Sequence, residues 1–312
     1  MRARFLGCSS SRYAARVPLG ELCALAAAVT WAFASMLFAR IGRSVPAGAM
    51  NLGKLVLAGG LMTVTRLGLG SLAPVAAAPA SAGVLLAASA LLGLTIGDTA
   101  YFAAMEAIGV ARAMLLLSSA PVFTALGGFL FLGERLDGRA LAGIALTVSG
   151  VAVVVARPAE ASAKPGAAVR GVLLGLVAAL GQAGGSLCSR RAMQRGIDPL
   201  AAGAGRLVLG AIGLAVLAAT AGALRGWVAA LVRDRAWLAV GRAALIGTYL
   251  GIWLGQTGLA RSRSVGVAAT LLGTSPLFAL PLAHAMGLER ATPRGAVGVV
   301  LGVARVAVLS LR

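Results

Sequence analysis

Charge is scarce in this 312-residue chain: Asp, Glu, Lys and Arg together make 12% of it, and only 9 residues are acidic. A soluble domain carries about 25% charged residues, so a water-facing surface cannot be built from this alphabet. With 1 histidine and no clustered carboxylates, a membrane metalloenzyme lacks ligands. No Gly-Lys-Ser/Thr run suggests an ATP site. The reading is therefore no enzyme and no cofactor, with energy drawn from an ion gradient or from the solute itself. The 3 cysteines (Cys8, Cys23, Cys188) lack metal-like spacing and exclude a disulfide framework or a zinc site. Cys8 follows Leu6-Gly7, faintly like a lipoprotein cleavage site, but too few residues precede it for an apolar stretch of about 7–15.

What is abundant is apolar. Hydrophobic residues make 59% of the chain and mean hydropathy is +0.93. The net charge of +19 does not indicate nucleic acid, because the arginines are spaced between apolar runs rather than gathered in a stripe. They read as anchors at phospholipid headgroups. Residues 1–19 read as a basic tail, and the first span as an uncleaved insertion signal.

A bilayer core about 30 Å thick needs about 20 helical residues. Segments of that kind fall at about 20–39, 48–69, 82–104, 110–132 and 138–156, then 169–189, 199–222, 236–259, 265–286 and 293–310. The longest connection, 158–168, carries Lys164 and Pro165 and divides two halves, 20–157 and 169–311. The halves echo one another at an offset of 155 (Pro121 on Pro276): Phe123 falls on Phe278, Glu134-Arg135 on Glu289-Arg290, Arg139 on Arg294, Gly143 on Gly298. Proline and glutamate in register are not a compositional accident of apolar helices. The fold class expected is an all-α integral membrane protein, ten transmembrane helices arranged as two five-helix repeats. An odd helix count makes the second repeat enter the bilayer from the other side, so the repeats are inverted, and a solute site is expected between them near mid-bilayer.

Lys and Arg are almost evenly divided between the two sides, and the four arginines of the tail tip the balance towards cytoplasmic N- and C-termini in an inner membrane.

The first half reads Gly97-Asp98-Thr99-Ala100-Tyr101-Phe102, then Ser119-Ala120-Pro121-Val122-Phe123, then Leu132-Gly133-Glu134-Arg135-Leu136 and Gly143. The second half repeats the theme in Thr274-Ser275-Pro276-Leu277-Phe278 and Glu289-Arg290. Over residues 20–310 this resembles the EamA-type repeat of the drug/metabolite transporter superfamily. The resemblance implies secondary transport by alternating access, commonly efflux of amino acids, metabolites or drugs, with a cavity bounded by spans 1, 3, 4, 6, 8 and 9. One departure is Arg305 in the place of Gly150; lying near the chain end, it can snorkel to the interface.

Charges inside spans cost about 2.5–3.5 kcal/mol each at the bilayer centre, so they mark candidate sites. Asp98 reads as a proton acceptor or solute counter-charge, with an architectural salt bridge as the alternative; Tyr101 lies one turn on along the same face. Glu106, about 12 Å further along the axis, reads as solvated. Lys54 and Arg206 are matched cations in spans 2 and 7, either paired with carboxylates such as Asp98 or drawing an anionic or zwitterionic solute inward. Pro121 and Pro276 break backbone hydrogen bonds beside Ser118, Ser119, Thr274 and Ser275, which suits either a cavity wall or a rigid kink. Trp31 and Gln182 hold equivalent places in spans 1 and 6, with Trp253 and Gln256 in span 8, fit for a polar-lined cavity or for interhelical hydrogen bonds. Glycines at every fourth position (Gly247, Gly251, Gly255; Gly181, Gly185) predict close helix packing.

The expected partners are the lipid bilayer and a small solute, amino-acid-like or drug-like, with protons as the candidate coupling ion. A homo-oligomer stays open, as do a lipid-linked or nucleotide-sugar carrier and a non-transporting scaffold.

Overall fold

Helices make every regular element in the computed structural model, which describes residues 19–70, 78–133 and 166–286, with Gly138, Ala142 and Ala145 besides. Spans five and ten, the Glu134 and Glu289 turns, Arg305 and most of the interval between the repeats lie outside the described residues. Within them, seven helical stretches are long and apolar enough to cross a membrane, and a shorter apolar one runs Val265–Ala279.

The first half supplies α1 (Leu19–Ile41), α2 (Ala47–Leu69), α3 (Ala80–Ile108) and α4, the last in two pieces, Val110–Leu117 and Ala120–Leu132. The second supplies α5 (Ala167–Met193), α6 (Pro199–Thr220), α7 (Leu224–Val232), α8 (residues 236–261) and α9, again in two pieces, Val265–Leu272 and Ser275–Ala285. Eight of these correspond to expected spans; α7 does not. Its Leu224, Trp227 and Leu231 recur at helical spacing and pack on the core, while Asp234 and Arg235 at φ 51° and 56° break it from α8.

Solvation decides which residues face out. Leu130 and Phe131 on α4 are 68% and 76% exposed, and Val64, Leu173, Ile212 and Val216 are exposed on other helices. Such a surface belongs in lipid, since soluble proteins rarely expose contiguous apolar area of this kind. The inner faces are small: α1 buries Ala24, Ala27, Ala28 and Ala32. Helix ends carry local signals. Asp198 accepts from the backbone N–H of Leu200 (3.1 Å) and Ala201 (3.0 Å), Pro199 opens α6, and Arg66 at the end of α2 ties to Asp198 at 3.2 Å.

Packing alternates between the halves: α1 lies against α8, α5 against α3, and α2 against α6. The first two contacts are mirror uses of one device. Gly258 faces Ala24, and Gly251 and Gly255 face Trp31, where α8 meets α1. Across the molecule a Cβ added at Gly181 would lie 3.0 Å from the Cα of Gly97, and one at Gly185 3.0 Å from the Cα of Gly93. Ser89 seals that crossing by donating to the Gly185 carbonyl at 2.5 Å. Backbones this close leave no room for any side chain.

Gly181→Val is therefore expected to cost at least about 1–3 kcal/mol by overpacking, read as a lower Tm in detergent. Gly60→Val, with no atom within 4 Å of the added Cβ, is the control and should leave Tm unchanged.

Candidate functional site

The α3–α5 crossing coincides with a change of helical pitch. Residues Ala90–Gly97 of α3 form a π-helical segment, as do Leu245–Leu250 of α8. The two start 155 residues apart, the offset of the sequence repeat. Wide turns of this kind leave carbonyls off the regular ladder and recur at functional positions. Here the Leu94 carbonyl accepts from Asn51 Nδ2 (2.9 Å), which also reaches Thr99 Oγ1 (2.7 Å), and Thr95 Oγ1 donates to the Gly210 carbonyl at 3.1 Å. The Asn51 side chain of α2 and the Gly210 backbone carbonyl of α6 thus brace the segment.

Asp98 is the first residue after it. Its Oδ2 lies 2.5 Å from Lys54 Nζ on α2, and the two side chains are only 18% and 8% exposed. Lys54 Nζ also stands 4.8 Å from the ring centre of Phe102, a cation–π contact. Tyr101, on the next turn, donates to Ser35 Oγ on α1 at 3.2 Å. In the second half the counterparts of Asp98 and Tyr101 by the same offset are Trp253 and Gln256. Gln256 Oε1 accepts from Ser189 Oγ at 2.6 Å.

These helices enclose a cavity of about 130 Å³. Of the residues singled out from the sequence, nine line it: Trp31, Lys54, Asp98, Tyr101, Ser118, Pro121, Gln182, Arg206 and Gln256. Trp253 does not: it is half-buried off the cavity and packs edge-on against Tyr249 at 6.1 Å. The Pro276 side chain lies outside the described residues; its neighbours Ser275 and Gly273 line the cavity. Spans 2 and 7 join the wall through Lys54 and Arg206, beyond the six spans expected. Sequence reasoning passed over the serines and threonines of the lining, Ser35, Thr124, Ser186 and Thr248, and the ring of Phe38. The serines and threonines carry no charge and recur throughout apolar helices, so nothing in the pattern distinguished them.

The two prolines act differently from mid-helix kinks. Each sits in the first turn of a fresh helical piece after a break, at Ser118–Ser119 in α4 and Gly273–Thr274 in α9. There the missing N–H is no loss. Hydroxyls take up the carbonyls at the break: Ser119 donates to Leu116 (2.7 Å), Thr274 to Leu271 (2.6 Å) and Ser275 to Leu272 (2.7 Å). The carbonyl of Leu272 is therefore occupied.

Phe38 and Phe102 stack at 5.1 Å and line two cavities at once. The second cavity, about 290 Å³, lies at the C-terminal ends of α1 and α3, with Gly42, Arg43, Met50, Met105 and Glu106 around it. The aromatic pair is the partition between a mid-span chamber and an end vestibule.

Two comparisons bear on this geometry. The family model described as EamA-like transporter family matches residues 18–156 and again 169–311. A solved structure titled only "Crystal structure of protein" shares the fold at a TM-score of 0.68, covering 94% of this chain and 96% of its own, at 21% identity. No curated protein matches the chain.

Asp98→Asn should leave Lys54 as an uncompensated buried charge and cost about 3–5 kcal/mol, seen as a large fall in Tm. Lys54→Met combined with Asp98→Leu should restore most of that stability. Equal losses in single and double variants would show that the pair does not act as a unit.

Proposed function

The chain belongs to the EamA-like transporter family, and from that premise we propose that it is a secondary carrier moving a small solute outward across the inner membrane by alternating access. The observation that carries this reading is the partitioned pair of cavities. A carrier needs a solute chamber near mid-bilayer and a closable route to one side. The chamber between the two halves, with Phe38 and Phe102 across its exit to the vestibule, has that form.

The proposed architecture is two inverted five-helix repeats, residues 20–157 and 169–311, with both termini cytoplasmic. Loops at the C-terminal ends of α1 and α3 then face the periplasm, and so does the vestibule. The proposed solute-contacting residues are those of the chamber, with Lys54, Asp98 and Arg206 as its charges. Room decides between substrate sizes. By the measure in which one water needs about 10–15 Å³, a chamber of about 130 Å³ holds roughly ten waters. That favours a metabolite-sized solute over a nucleotide sugar or a lipid-linked one.

Proton coupling would run through Asp98, the only carboxylate among the described residues of the chamber lining. Asp98 is held by its ion pair with Lys54. Exchange of solute for protons would therefore require that pair to open once per cycle.

Thiol accessibility tests the reading in vesicles of known orientation. A single cysteine replacing Ser186, in a chain otherwise free of cysteine, should react with impermeant reagents from both faces. Phe102→Ala should raise its reactivity at least about tenfold from the vestibule face, where an obstructing ring is removed. Reactivity from neither face would favour the scaffold. Tags at the N-terminus and at Lys164 should report opposite sides; the same side would end the inverted arrangement.

A further inference from the structure

The repeats match in backbone but not in charge. Each places a cation on its second helix, Lys54 on α2 and Arg206 on α6, and these two helices pack together. Lys54 has a carboxylate from α3 of its own half. The corresponding place on α8 is Trp253, turned away against Tyr249. Arg206 is left without its equivalent of Asp98.

The consequence is visible in the chamber. Arg206 is 4% exposed and lines the cavity, yet it has no hydrogen bond or ion pair among the described residues, and its Nε is buried without an acceptor. Asp98 acts on it through space but is bonded to Lys54. The charged residues of the lining are thus two cations and one carboxylate. A buried cation is costly, and no hydrogen bond or ion pair among the described residues offsets that cost for Arg206. Beside it the wall is deliberately empty. A Cβ added at Gly93 would come within 2.9 Å of Arg206 Nη2 and 3.4 Å of Gln182 Oε1, so both polar groups converge where α3 has no side chain. Leu94, Met114, Ile252 and Leu272 make much of the remaining surface apolar.

We infer that the solute carries a single carboxylate, which docks on Arg206 beside Gln182 and takes the place that Asp98 holds in the first repeat. The rest of the solute is a compact, largely apolar body, matched to the apolar lining of the chamber. This assignment rests on the carrier reading given above and names its substrate class. Anion binding brings the chamber to neutrality, so the loaded chamber carries less buried charge than the empty one.

Thermal unfolding of the purified full-length protein tests this without any flux. The probes are two matched acid–amide pairs, 4-methylpentanoate with 4-methylpentanamide and 3-methylbutanoate with 3-methylbutanamide. At least one acid should raise Tm, through binding to the folded state, and neither amide should. Arg206→Gln should weaken acid binding at least about tenfold, and Arg206→Lys less. The unliganded Arg206→Gln protein should be no less stable than the parent, because a structural role would lower its Tm as Asp98→Asn does. Stabilisation by the amides, silence from both acids, undiminished acid binding in Arg206→Gln, or a large fall in its unliganded Tm would each overturn the assignment. Two-sided thiol accessibility with no acid binding sinks only the substrate class. Acid binding with one-sided accessibility sinks the carrier reading instead.

Discussion

Everything at the centre of this protein depends on two helix crossings where backbone meets backbone. Glycines 181 and 185 of α5 lie against glycines 97 and 93 of α3, and Gly251, Gly255 and Gly258 of α8 lie against α1. In a hydrocarbon solvent there is no hydrophobic drive to press helices together, so close van der Waals contact and interhelical hydrogen bonds must do it. Contact at that range also fixes depth. The π-helical segment of α3 is held in register with α5, and Asp98 follows directly after it. The chamber is the space left between crossings that cannot widen.

Much of this was legible in the sequence. Apolar runs of about 20 residues located eight described spans to within a few residues, because the bilayer imposes length with little regard to tertiary detail. The charges Lys54, Asp98 and Arg206 stood out since ionised groups in apolar helices are expensive and therefore rare. Other parts had no such signature. A π-helical turn in Ala90–Gly97 is written in the same residues as the α-helix around it, and only the packing partner selects it. Trp253 was nominated as an aromatic in a glycine-rich helix, but its ring packs on Tyr249, four residues before it on the same helix, and not on the cavity. Pro276 was nominated for a kink, whereas α9 had already ended at Leu272 and began again. Helix α7 is too short to span, so a search for apolar runs of about 20 residues passes over it.

Inexact symmetry is where chemistry enters. The repeats share pitch changes, broken fourth helices and capping hydroxyls at Ser119 and Thr274. Those are properties of backbone, and duplication preserves them. What differs is the occupant of each equivalent position: Asp98 against Trp253, Tyr101 against Gln256. A chamber lined by two identical halves would have charges that cancel or double. Two unlike halves give it a polarity, with one cation satisfied from within.

Lys54 touches both the carboxylate of Asp98 and the face of Phe102. The same ammonium therefore reads the electrostatic state of the chamber and props a ring of its partition. Any change in what holds that lysine therefore bears on the carboxylate and on the aromatic ring together.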